Sequence, residues 1–272
     1  MRTVLDASLY ENQEKRFQKI ADDTRKFIAA YCGSTIIGEN IFGVISNYAR
    51  KNDTPLEMLR YPFKDSELWA FTFLKKGTIF VCVNSELPLS KQIFAAAHEL
   101  YHIYCYVEDL DQSIIRAGSL LDSKTVDETA QTQEDIEANA FAALLLMPDQ
   151  LLNDQISLYG ISKGNITPDD ILLLMDFFGI PYKAVVLRLY ESQNISKTKA
   201  SELIAIPSEE IQQRIVLTGK AKRWTLDGRG LESFGSLLDN LHFNCENELL
   251  TETRQNEDVE LVDQMQRKLC VM

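Results

Sequence analysis

Only three histidines occur among the 272 residues, and two of them lie four apart in the stretch AAAHELYHIYCY: His98 and His102, with Glu99 between them. On an α-helix, residues four apart share a face about one turn apart. Both imidazoles can therefore aim at one point beside the helix. Neutral imidazole binds Zn²⁺, and a catalytic zinc takes three protein ligands and keeps one open position. Glu99, one residue round the helix from His98, is set to reach a metal-bound water rather than the metal. Two ligands and a general base on one helical turn are the mechanical content of the H-E-x-x-H pattern. The competing reading, one buried and one solvated histidine, needs a histidine-poor chain to meet that spacing by accident.

A third ligand is required, and His242 is far away in the chain. The expected ligand is Glu137. Phe141, Leu144 and Leu145 continue its helical face, so its carboxylate heads an apolar stripe and points to the core. An unpaired charge is costly there, and a cation removes the cost. Glu134, one turn earlier on a similar face, is the runner-up, while Asp135 projects elsewhere, into solvent. His242 and Cys245 make an HxxC, but two ligands alone are a weak metal signal.

These side chains need elements to hold them. Leu87-Pro88-Leu89-Ser90 announces a helix with Ser90 as N-cap and Leu89 stapled onto Phe94, running over 90–106 and carrying the HExxH motif. EDIEANAFAALLLMP gives the Glu-bearing helix, 134–147, stopped by Pro148. Aromatic and β-branched runs around Gly77 predict a β-hairpin over 68–84. Its second strand, Thr78–Asn84, is expected at a sheet edge above the metal, where an extended peptide can pair by β-augmentation, or else as plain core support. Amphipathic helices are expected over 13–31 and 41–50. Thr167-Pro168-Asp169-Asp170 starts a further helix, and Pro181 opens another ending near Tyr190. That pair is expected to be a helical hairpin packed on the core rather than a DNA-reading helix-turn-helix. Lys197–Ile204 is expected to be helical, and Thr251–Asp258 is polar enough to be mobile.

Composition narrows the classes. The chain has 45% hydrophobic and 25% charged residues, with a net charge of −12, as expected of a globular protein repelled by polyphosphate. Direct nucleic-acid binding is thus disfavoured. Residues 181–230 carry nine bases against five acids, net +4, which a solvated face explains. Residues 107–137 carry nine acids against two bases, net −7, and read mostly as an acidic loop able to gate the cleft. No apolar run reaches membrane-spanning length, and the first residues lack the apolar core of a secretory signal. Five cysteines, odd in number and never in a CxxC pair, imply free thiols in a reducing compartment. The expected location is the cytoplasm.

HELYH followed by EANAFAALLLMP resembles the ImmA/IrrE family of zinc metallopeptidases, as does the hairpin segment LRYPFKDSELWAFTFLKKGTIFVCVN, over roughly residues 35–190. The resemblance implies an α+β fold: a mainly helical zincin-like metallopeptidase core with a small β-sheet and a helical C-terminal region. The expected division is a core over 1–150, a helical hairpin over 151–194 and a C-terminal region over 195–272. The resemblance supports Glu137, directly before Ala138-Asn139, as third ligand with His98 and His102 on Zn²⁺, and Glu99 as catalytic base. It further implies an endopeptidase that cleaves a helix-turn-helix repressor, often encoded on a mobile element. The alternative is a partner-binding module in which a structural zinc staples a non-cleaving antirepressor.

Overall fold

The computed structural model describes residues 4–63, 65, 67–108, 119–122, 132–220, 224 and 233–270. Two short helices, α1 (Val4–Ala7) and α2 (Leu9–Asn12), lead into α3 (Glu14–Phe27), which buries Phe17, Ile20, Thr24 and Phe27 and continues as a π-helical turn over Ile28–Cys32. Next, α4 (Ile41–Lys51) buries Ile41, Val44, Ile45 and Tyr48, the face its periodicity predicts.

Three strands follow: β1 (Leu56–Tyr61), β2 (Leu68–Lys75) and β3 (Thr78–Asn84). The predicted hairpin is β2–β3. Its two-residue loop, Lys76-Gly77, has positive φ at both positions (51° and 81°), as a type I′ turn demands. The edge position expected for Thr78–Asn84 is not found. β3 pairs antiparallel with β2 on one side and parallel with β1 on the other, so its backbone groups are already used. The sequence signal for β1 was weak because LEMLRY lacks the clean alternation of a half-buried strand. Ile79, Val81 and Val83 of β3 are fully buried on one face, and on that face Arg60 of β1 reaches Gln92 Oε1 at 2.6 Å.

Beneath the sheet runs α5 (Leu89–Val107), the longest fully described helix of the core. β4 (Ser119–Asp122) adds to the outer edge of β2; the rest of the expected acidic loop, apart from residues 107, 108 and 132–137, lies outside the described residues. Then come α6 (Gln133–Leu146), α7 (Asp149–Leu158), α8 (Pro168–Phe178) and α9 (Tyr182–Glu191). A capping box joins Thr167 to Asp170 at the start of α8, and Gly179 closes it at φ 70°. α9 is packed against the core through Arg188, which is 0% exposed and donates to the carbonyl of Met147. α10 (Lys197–Ile204) and α11 (Ser208–Leu217) complete this helical part.

β5 (Ser233–Phe234) pairs with β1, completing a five-stranded sheet of order β4-β2-β3-β1-β5. The last helices are α12 (Leu237–Glu246) and α13 (Glu252–Cys270). The stretch expected to be mobile, Thr251–Asp258, is helical from Glu252 on. Arg254 pairs there with Glu257 and Asp258 at i+3 and i+4, a spacing that supports polar helices. The fold is α+β, mostly helical with one small sheet. Among the described residues no helix is long and apolar enough to cross a membrane.

Candidate metal centre

Two helices make the site. α5 starts at Leu89, after Pro88, two residues before the start at Lys91 that Ser90 as N-cap implies. Ala95, Ala96 and Ala97 are each 0% exposed, and their small side chains let neighbouring elements approach closely. His98, Glu99 and His102 follow in the buried middle of the helix at 0%, 0% and 1% exposure. The second helix, α6, is buried on nearly every side from Glu137 to Leu146. A helix apolar all round has no single stripe, so reading orientation from apolar spacing fails there.

The histidine rings converge. His98 Nε2 and His102 Nε2 are 3.2 Å apart, close to the ligand–ligand separation that tetrahedral bonds of about 2.0–2.1 Å produce. The acid that joins them is Asp135, whose Oδ1 lies 3.7 Å from His98 Nε2 and 4.0 Å from His102 Nε2. Among the described residues, His98, His102 and Asp135 form the group whose ligating atoms all lie within 4.8 Å of one another. Asp135 is therefore not the solvated residue expected; its side chain is 14% exposed.

Asp135 serves two elements at once. Its Oδ2 accepts from Thr132 N at 3.2 Å and Thr132 Oγ1 at 2.7 Å, while its own N–H donates to Thr132 Oγ1. This capping box fixes the first turn of α6 and leaves Oδ1 directed at the histidines. Burial alone would raise the Asp135 carboxyl, but the neighbouring His98 and the hydrogen bonds from Thr132 outweigh it and hold it at about 2. One turn along the same face, Asn139 Oδ1 meets His98 Nδ1 at 2.9 Å. An amide oxygen accepts only, so Nδ1 carries the proton and Nε2 keeps its lone pair outward. The His102 imidazole is neutral: burial, then the neighbouring His98, push it down to about 3 against the pull of Asp135. Its Nδ1 has no hydrogen-bond partner among the described residues. Two imidazoles and one ionised carboxylate at these spacings are a donor set suited to a divalent cation.

Glu99 lies close enough to Cys82 of β3 to act on its thiol, which burial first and the Glu99 charge further raise to about 12. Glu137 is placed elsewhere. Its carboxylate accepts from Arg16 Nε at 2.7 Å, Arg16 Nη2 at 2.5 Å, Tyr101 Oη at 2.6 Å and Gln133 Nε2 at 3.1 Å. Burial raises the Glu137 carboxyl, but these donors, Arg16 foremost, leave it below its usual range. Two signals in the sequence point to Asp135: the T-x-x-D spacing from Thr132, and the Asp135/Asn139 polar pair at i, i+4. His242 sits on α12 and Cys245 is partly exposed, and neither belongs to the cluster.

An α+β fold with a buried His-Glu-x-x-His helix facing a carboxylate on its neighbour defines a metallopeptidase class. A family model described as the IrrE N-terminal-like domain of the Peptidase_M78 family matches residues 52–190, that is 190 − 52 + 1 = 139 of the 272 residues, over half. The chain belongs to this metallopeptidase family, the one its motifs resemble. No curated protein matches the chain.

Proposed function

We propose that the chain is a zinc-dependent endopeptidase that cleaves a helix-turn-helix transcriptional repressor in the cytoplasm, relieving repression on a mobile element or in a stress response. The ligands in this reading are His98, His102 and Asp135, and Glu99 is the catalytic base. The convergence of two buried Nε2 atoms and one carboxylate oxygen within 4.8 Å carries it. Glu137, two residues beyond Asp135, enters as the partner of Arg16 instead of a ligand. Family membership supports a metallopeptidase, and the repressor substrate is what the resemblance of the motifs implies.

Bound zinc supplies Lewis acidity for the scissile carbonyl and a water whose pKa falls to near 7. Asn139 holds His98 in the tautomer that offers Nε2, and Thr132 holds Asp135 with Oδ1 inward. Glu99, fully buried one residue from His98, would accept a proton from a metal-bound water and return it to the leaving amine. The two carboxylates Asp135 and Glu99 together balance a dication, so the loaded site is close to neutral.

The test is Glu99→Gln. The amide preserves size and leaves the three proposed ligands in place, so the purified variant should keep about one zinc per chain. Loss of a positioned base costs on the order of 10²–10⁴-fold in rate. Co-expressed with a candidate repressor, wild type should yield two fragments and Glu99→Gln an intact, bound repressor. Cleavage by the variant near the wild-type rate would remove Glu99 from the mechanism. If neither protein cuts and both relieve repression equally, the chain is the metal-stapled antirepressor.

A further inference from the structure

The N-terminal helix α3 lies outside the matched residues 52–190, yet one of its side chains reaches the two helices that carry the proposed ligands. The geometry points to Arg16 as a positioning residue for the metal centre: with Glu137 and Tyr101 it forms a clamp that sets the spacing between α5 and α6. This inference rests on the zinc site of His98, His102 and Asp135 proposed above.

Residues two apart on a helix point about 200° apart at 3.6 residues per turn. With Asp135 turned toward the histidines, Glu137 necessarily faces another way, and it faces α3. The Arg16 guanidinium meets it with two parallel hydrogen bonds, Nε to Oε1 and Nη2 to Oε2, the fork geometry that fixes direction as well as distance. Tyr101, the neighbour of His102 on α5, donates to the same Oε2 and rests its ring 5.4 Å from that of Phe141, one turn beyond Glu137. Glu137 on α6 is thereby tied at once to α5 through Tyr101 and to α3 through Arg16. Gln13 of the same N-terminal segment meets Gln133 at 2.7 Å, so the first turn of α6 is held twice. Glu137 is 7% exposed, and without Arg16 its charge would be buried facing only neutral donors. The carboxylate would then swing, and the first turn of α6, with Asp135 on it, would lose its register against His98 and His102.

The experiment measures zinc affinity by competition with a chromophoric chelator, with thermal melting of the metal-free protein as a parallel readout. Arg16→Ala should weaken zinc about tenfold or more, in the range for outer partners that orient ligands. Arg16→Lys, which keeps the charge and loses the fork, should fall between Arg16→Ala and wild type and serves if Arg16→Ala does not fold. The Co²⁺-substituted protein should show an altered visible spectrum in both variants. A lowered melting temperature with zinc affinity and Co²⁺ spectrum unchanged makes Arg16 merely structural and overturns the proposal. Tighter zinc in Arg16→Ala also overturns it, because freeing Glu137 would then have supplied a ligand. Wild type that binds no zinc at all removes the metal site itself, a result distinct from the other two.

Discussion

At the C-terminal end of α6 the fully buried Arg188 guanidinium donates to the Met147 carbonyl and to the carboxylates of Glu191 and Asp149. At the N-terminal end Asp135 directs one oxygen toward the Nε2 atoms of His98 and His102, 3.7 and 4.0 Å away and beyond hydrogen-bonding distance. The two ends of one helix thus meet charged groups in two ways. One end is closed: each charge has an opposite partner within reach, Glu191 at 2.9 Å, and nothing further is needed. The other end brings two imidazole nitrogens and a carboxylate oxygen within 4.8 Å of one another, the arrangement that the proposed cation would complete. Buried polarity that is internally satisfied supports the fold, whereas buried lone pairs that converge unsatisfied mark where a ligand acts.

The sharpest way to break that contrast is Asp135→Asn. The amide oxygen still accepts from Thr132, which keeps the helix start, but the negative ligand is gone. Metal analysis after dialysis should fall from about one zinc per chain toward none, while the metal-free melting temperature stays within a few degrees of wild type. If Asp135→Asn retains zinc and Glu137→Gln does not, the third ligand is Glu137 and the open end of α6 has been misassigned.

The closed end should fail in the opposite currency. Arg188→Ala leaves Glu191 and the Met147 carbonyl buried without their donor. Breaking a buried pair in this way costs about 3–5 kcal/mol, read as a lower denaturant midpoint for the metal-free protein. A variant that unfolds at the wild-type midpoint would show that this network carries no stability.

Much of this was legible before any coordinates. HELYH specified its helix, its buried face and its two imidazoles because a four-residue spacing has one geometric meaning on a helix. The hairpin followed from Gly77 and the runs around it. What escaped reading was set by long-range pairing: β1 and β5 complete the sheet from distant parts of the chain, and they decide that β3 is central. Asp135 escaped because burial on all sides of α6 erased the periodicity that orients a helix. The partner of Glu137 escaped because Arg16 is 121 residues away in the chain, and nothing local in EANAF announces a cation from α3.

The smallest expected effect concerns Asn139, which belongs to the open end but touches no proposed metal. Its Oδ1 fixes the His98 ring through Nδ1. Asn139→Leu removes that acceptor at nearly constant volume and leaves His98 free to rotate or to carry its proton on Nε2, where a metal should bind. Partners of this kind are worth about 10–100-fold in metal affinity, or roughly 1.4–2.8 kcal/mol at 1.4 kcal/mol per decade. Asn139→Asp should stay nearer to wild type, since a carboxylate accepts the same proton. Zinc competition titrations of the two variants side by side provide the measurement. Equal affinities for Asn139→Leu and wild type would mean that burial alone orients His98, and that the open end of α6 depends on Asp135 without help from the turn that follows it.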